Sequence, residues 1–193
     1  MLVLGSNTFV TANTAQAALI ISEIMASNGS TITDEKGNYS DWLELTNQGG
    51  QPIDIGGMYL SDKRNAPLKW QIPTGYTDKT TVPPGISIVL WADGKPELGP
   101  LHLNFKLDKD GDALILTAAD GKSLLDSVAF KNQLRDISYG RNNSMGKWLF
   151  FPEPTPGKVN NTKGFSNINA ASYALLYINN RILFKRLNAT KTR

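Results

Sequence analysis

The chain has 193 residues, 40% of them hydrophobic and 19% charged, which is the composition of an ordinary globular protein and a length that suits one domain with extensions. It has no cysteine, which removes disulfides, thiolate zinc sites and cysteine nucleophiles from consideration. The net charge of +3 is uneven, because residues 1–162 hold 14 Lys/Arg against 17 Asp/Glu while residues 163–193 hold 6 Lys/Arg and no acid.

The chain opens with a short apolar start, Met1 to Leu4, and Ala15-Gln16-Ala17 before Ala18 has the small-x-small spacing of a signal-peptidase site. A basic segment and a full apolar stretch are both missing, so residues 1–18 read either as the remnant of an export signal or as a disordered leader. No uninterrupted apolar run approaches the roughly 18 residues of a membrane span, so a soluble chain is expected.

From Leu19 onward, short apolar segments alternate with Gly, Pro, Asn and Asp, a pattern that predicts strands. In Asp41 to Asn47, a period of two places Leu43 and Leu45 on one face, toward the core, and Trp42, Glu44 and Thr46 on the other. Ile86, Ile88 and Leu90 share a face after the Pro83-Pro84-Gly85 turn. Leu114 and Leu116 lead into Ala119-Asp120-Gly121, and Val128 and Phe130 lie on the return; Asp-Gly suits a tight hairpin turn. With further candidates at 19–26, 52–61, 67–72, 101–107 and 136–141, about nine strands are expected, at the spacing of a sandwich or barrel.

The sheet body, assigned to 19–161, ends where Phe151 to Gly157 places three prolines in five residues, which cannot continue a sheet interior. Residues 162–193 read as a linker and a basic C-terminal tail. Within it Tyr173 to Leu187 is rich in apolar residues, and Asn179-Asn180 leaves helix and hairpin both open.

Several segments occur in the order found in the lamin tail domain family, in the form carried by bacterial surface proteins. They begin with Ser22 to Asn28, Asp41 to Asn47, Ile53 to Asp62 and Lys69 to Pro73. Pro84-Gly85, Trp91 to Gly94, Leu101 to Leu107, Asp126 to Val128, Ser138 to Arg141 and Pro154 to Gly157 follow. No single block is diagnostic, but the ordered set resembles the family from about Leu19 to Asn161. The resemblance implies an all-β fold, an immunoglobulin-like β-sandwich, and a non-catalytic module that is secreted or faces the cell envelope. Its expected partner is a protein or an envelope polymer, with no small-molecule substrate and no cofactor.

The chemical signals are weighed against that expectation. Asp108, Asp110 and Asp112 are spaced to converge on calcium, but Gly111 sits at the fourth loop position, not the sixth, and Ala119 stands where an EF-hand needs its bidentate Glu. A solvated acidic turn is expected there. His102, the sole histidine, is expected to be a surface or sheet-packing residue between Leu101 and Leu103. Glu23 and Glu44 alternate with apolar neighbours and are expected to face solvent or a sheet edge, not to pair as acid and base. Trp42, Trp70, Trp91 and Trp148 are expected to anchor the core and sheet edges, not to form a carbohydrate platform. No catalytic residue is assigned. Arg181, Lys185, Arg186, Lys191 and Arg193 form the positive signal, a basic tail able to hold nucleic acid or an anionic membrane and thereby to recruit either to a catalytic partner.

Overall fold

The computed structural model describes residues 18–142 and 146–190, excluding the side chains of 183–190. All of the leader but Ala18 falls outside the described residues. The strands are β1 (Leu19–Met25), β2 (Trp42–Asn47), β3 (Ile53–Asp54), β4 (Tyr59–Ser61), β5 (Trp70–Gln71), β6 (Thr81–Val82), β7 (Ser87–Trp91), β8 (Gly111–Thr117), β9 (Leu124–Lys131), β10 (Ser138–Arg141) and β11 (Trp148–Phe151). A short helix α1 (Thr77–Thr80) precedes β6, and a long helix α2 (Ile168–Thr190) follows the sheets.

The first sheet has the order β11-β10-β1-β2-β7 and the second β5-β4-β8-β9; β3 and β6 form a separate pair. Every strand pairing is antiparallel. The inward faces of the two sheets share one core, to which β2 gives Leu43 and Leu45, β7 Leu90, β8 Leu114 and Leu116, and β9 Val128 and Phe130. This is an immunoglobulin-like β-sandwich. Each fully buried leucine in it contributes about 1.5–3 kcal/mol relative to exposure.

β1 meets the core by changing parity partway along. Leu19 and Ile21 face inward, and so do Ile24 and Ala26. A bulge between Ile21 and Glu23 makes both pairs possible, because Ser22 is the extra residue opposite β2. The bulge and the short span of β10 leave the first half of β1 without a strand on its β10 side, since that pairing covers only Glu23 and Ile24. Side chains take the strand's place. Asp126 of β9 accepts the Ile21 N–H (2.9 Å), and Arg141 donates from Nε to the Ile21 carbonyl (3.0 Å) and from Nη2 to both Asp126 oxygens (2.8 and 2.9 Å).

Among the described residues there are eleven strands where about nine are expected, and three differences have physical causes. The 52–61 segment breaks into β3 and β4 at Ile55-Gly56-Gly57-Met58, where Gly57 takes φ 83°, a conformation that disfavours side chains. Residues 101–107 make two isolated bridges, parallel from His102 to Trp91 and antiparallel from Lys106 to Asp93, but no ladder, although Leu103, Phe105 and Leu107 are buried as in a strand. β11 ends at Phe151, directly before Pro152, and the chain returns to pair Phe165 with Phe150.

The tail, open between helix and hairpin from sequence, is a helix. Asn167 caps it by accepting the N–H of Asn169 (2.8 Å), and it touches the first sheet at β11, burying Ala171. Asn179-Asn180 sits inside without breaking it, there being no Gly or Pro between 168 and 190. Among the described residues no helix is long and apolar enough to cross a membrane.

Candidate functional site

Two glutamates expected at the surface are instead buried. Glu23 and Glu44 are cross-strand partners on the outward face of the first sheet, at 0% and 1% exposure. Alternation predicts that face correctly, but the segment after β11 folds back over it. Ser138 Oγ donates to Glu23 Oε1. Glu44 Oε1 accepts from Ser22 Oγ (2.5 Å), and its Oε2 accepts from the Gly157 N–H (2.7 Å). Asn160 stitches the cover down by donating to the carbonyls of Ser22 (3.1 Å) and Arg141 (3.2 Å). The close approach requires a glycine opposite Glu23, since a Cβ on Gly140 would sit 2.6 Å from Asn160 Nδ2.

Burial pushes the Glu23 carboxyl up to about 8 against the lowering effect of Ser138, and the neighbouring Glu44 raises it further. Burial also raises Glu44, despite the hydrogen bonds from Ser22 and Gly157. A small cavity of about 270 Å³ borders Glu44, but both carboxylate oxygens are already bound to protein donors. The pair acts as a polar rivet between sheet and exit segment.

His102 is likewise buried, at 1% exposure, and is not on a strand. Its Nδ1 lies 2.9 Å from Asp93 and its Nε2 3.1 Å from Glu35, so the ring joins the 91–102 region to the loop between β1 and β2. That loop is further pinned by Asn28, whose amide donates to the carbonyls of Ile32 (2.7 Å) and Ser40 (2.8 Å). The ring therefore works as a clasp. Its sequence neighbours gave no sign of this, because both carboxylates come from elsewhere in the chain.

The acidic turn places Asp108, Asp110 and Asp112 close in sequence but turns them onto local backbone. Asp108 accepts the Asp110 N–H (2.9 Å), Asp112 accepts the Ala113 N–H (2.8 Å), and Asp110 pairs with Lys109 (2.7 Å). Among the described residues no group of three or more His, Asp or Glu is placed to hold a metal. The tryptophans are dispersed: Trp42 and Trp91 are cross-strand partners, Trp70 is on the second sheet, and Trp148 stacks on Tyr139 at the far side of the first sheet. Arg181 is exposed on α2 and lies over Tyr177 (5.8 Å). The side chains of Lys185 and Arg186, and the whole of Lys191 and Arg193, lie outside the described residues.

The open site is on the outward face of the second sheet. There β8 presents Ala113, Ile115 and Thr117, opposite Ala129, Ser127 and Leu124 of β9. The small side chains leave a trough, and the 62–69 loop rises beside it with Leu68 resting near Gly121 and Tyr59. The resulting groove has a volume of about 350 Å³, within the range of ligand pockets. Ala113 and Ile115 lie at its floor, Pro67 and the 62%-exposed Leu124 at its walls, and Arg64 and Lys122 are also among the residues that line it. Among the described residues no acid lines it. The sequence gives no signal for this groove, because an alanine and a serine on strands read as filler.

In the comparisons with known proteins, neither the curated proteins nor the solved structures include a match to this chain. One family model does match: the lamin tail domain, over residues 12–132. That span covers more than half of the chain, takes in β1 to β9, and coincides with most of the ordered blocks read from the sequence. The chain belongs to the lamin tail domain family.

Proposed function

We propose that this protein is a non-catalytic binding and adhesion module, displayed on or secreted from a bacterial cell, that holds a protein or envelope polymer against a rigid sandwich. The observation that carries the reading is the contrast between its polar centres and its groove. The buried carboxylates and the histidine are committed to fastening loops, whereas the groove on the second sheet is open, partly apolar and cationic at its margin. A preformed groove on sheet residues is a recognition surface needing little ordering on binding. The test is co-sedimentation of the purified chain with bacterial envelope fractions. Saturable retention that Leu124→Asp abolishes is expected; equal retention of the variant would exclude the groove as the binding face.

A second reading has its own observation. Along α2, Tyr173, Leu176 and Tyr177 are exposed, at 75%, 57% and 64%, and residues 163–193, of which the helix is part, hold six cations and no acid. Such a helix can recruit an anionic membrane or nucleic acid to a catalytic partner, each cation adding about 1 kcal/mol near an anionic membrane. Deleting 163–193 separates the two. Under this reading, binding to anionic liposomes or DNA is lost on deletion and falls with added salt, while envelope retention through the groove survives.

A further inference from the structure

Resting on the reading of the groove as a binding face, we propose that its occupant is an extended acidic peptide segment, one that places an apolar side chain in the trough between flanking carboxylates. Three features converge on that chemistry.

The first is charge. Residues 1–162 hold more acids than bases, 17 against 14, yet among the described residues the groove lining carries Arg64 and Lys122 and no acid, so the local sign is opposite to that of the body. Among the described residues the Arg64 guanidinium has neither a hydrogen bond nor an ion pair, and it stands exposed. Asp120 lies near Lys122, but its carboxylate is occupied by its own turn, accepting from Ser123 Oγ (2.6 Å) and from the N–H of Lys122 (2.8 Å) and Ser123 (2.9 Å). Asp126 is likewise taken by Arg141 and Ile21. A guanidinium without a partner beside an apolar floor is a receptor for a carboxylate.

The second is shape. The trough exists because Ala113 and Ser127 are small where larger residues would fill the sheet face, and Leu124 and Pro67 wall it. Its volume suits one or two apolar side chains and not a folded partner. The third is access. The outward face of β8 and β9 lies open beside the 62%-exposed Leu124 and the exposed Lys122, so an extended segment can lie over that face with one side chain in the trough, whereas the β9 edge is held against β1 through Asp126 and Ile21.

The experiment is fluorescence anisotropy of a short labelled peptide alternating leucine and glutamate, titrated with the full chain. Two control peptides carry glutamine for glutamate or serine for leucine. Arg64→Glu, Lys122→Glu and Leu124→Asp are compared; all three side chains are exposed, and unchanged melting temperatures verify that folding is intact. The expected result is saturable binding of the Leu/Glu peptide that weakens about tenfold or more in each variant and with added salt. Both control peptides should bind at least about tenfold more weakly. Equal binding of the glutamine peptide would overturn the acidic specificity while leaving the groove as a binding face. Binding indifferent to all three substitutions would place the peptide elsewhere and overturn the inference. Absence of binding by every peptide would overturn it too, and envelope retention of the wild type would then still stand as the separate test of the broader reading.

Discussion

Glu23 and Glu44 stand opposite each other across β1 and β2, buried under a segment that begins after residue 151. Burial raises the proton affinity of each carboxyl group, and at Glu23 the charge of the neighbouring Glu44 adds to it. The pair holds the exit segment by hydrogen bonds that tolerate a proton.

Stability should therefore fall as pH rises. Glu23 goes from an ordinary value of 4.5 to about 8 on folding, so between those limits the native state binds the proton that the unfolded chain releases. The contribution is fully present below 4.5, declines across the window, and levels off above about 8. Urea unfolding at intervals from pH 4 to 9 measures the slope. Glu23→Gln should flatten it, and an unchanged slope in the variant would mean that another group is responsible.

Leu43 is fully buried between the sheets and is expected to be among the costliest truncations. Leu43→Ala should lose about 2–5 kcal/mol, a large part of the 5–15 kcal/mol typical of a whole domain. A midpoint shift in denaturant at constant slope reads it directly.

Asp126 and Arg141 act as a unit. Asp126→Ala leaves the buried Ile21 N–H without its acceptor and Arg141 without its anion, with an expected cost of about 1–3 kcal/mol. Arg141→Lys should not rescue the arrangement, because an ammonium cannot serve the Ile21 carbonyl and the carboxylate in one plane. A double-mutant cycle on the two positions should give a coupling energy of about 0.5 kcal/mol or more.

His102→Ala should loosen the loop between β1 and β2 more than the sheets. Amide hydrogen exchange is expected to quicken over residues 29–41 while β2 and β8 keep their protection. Uniform acceleration across the sandwich would instead make the ring a general core element.

The strands that build the core were legible because their periodicity is strict: Leu43 with Leu45, Leu114 with Leu116, and Val128 with Phe130 all face inward as alternation requires. Even the bulge has a trace, in the shift from odd to even apolar positions between Ile21 and Ile24. Cover was not legible. Alternation states which side of a strand Glu44 occupies but not what lies upon that side, and the cover is Gly157, 113 residues further along. The same holds for His102, whose partner Glu35 is 67 residues away. The groove was hidden for the opposite reason, since it is made by what Ala113 and Ser127 lack. In the tail, composition pointed to apolar character without choosing a period, and the Asn167 cap decides for helix.

The placement of β10 beside β1 bears on how the protein can be dissected. The family match stops at residue 132, whereas β10, β11 and Asn160 lie beyond it. A fragment trimmed to the matched span would strip a central strand of its neighbour and present bare main chain along an apolar ribbon, a template for self-association. Insoluble, oligomeric product is thus the expected fate of a clone ending there, and soluble expression calls for a boundary drawn past residue 160.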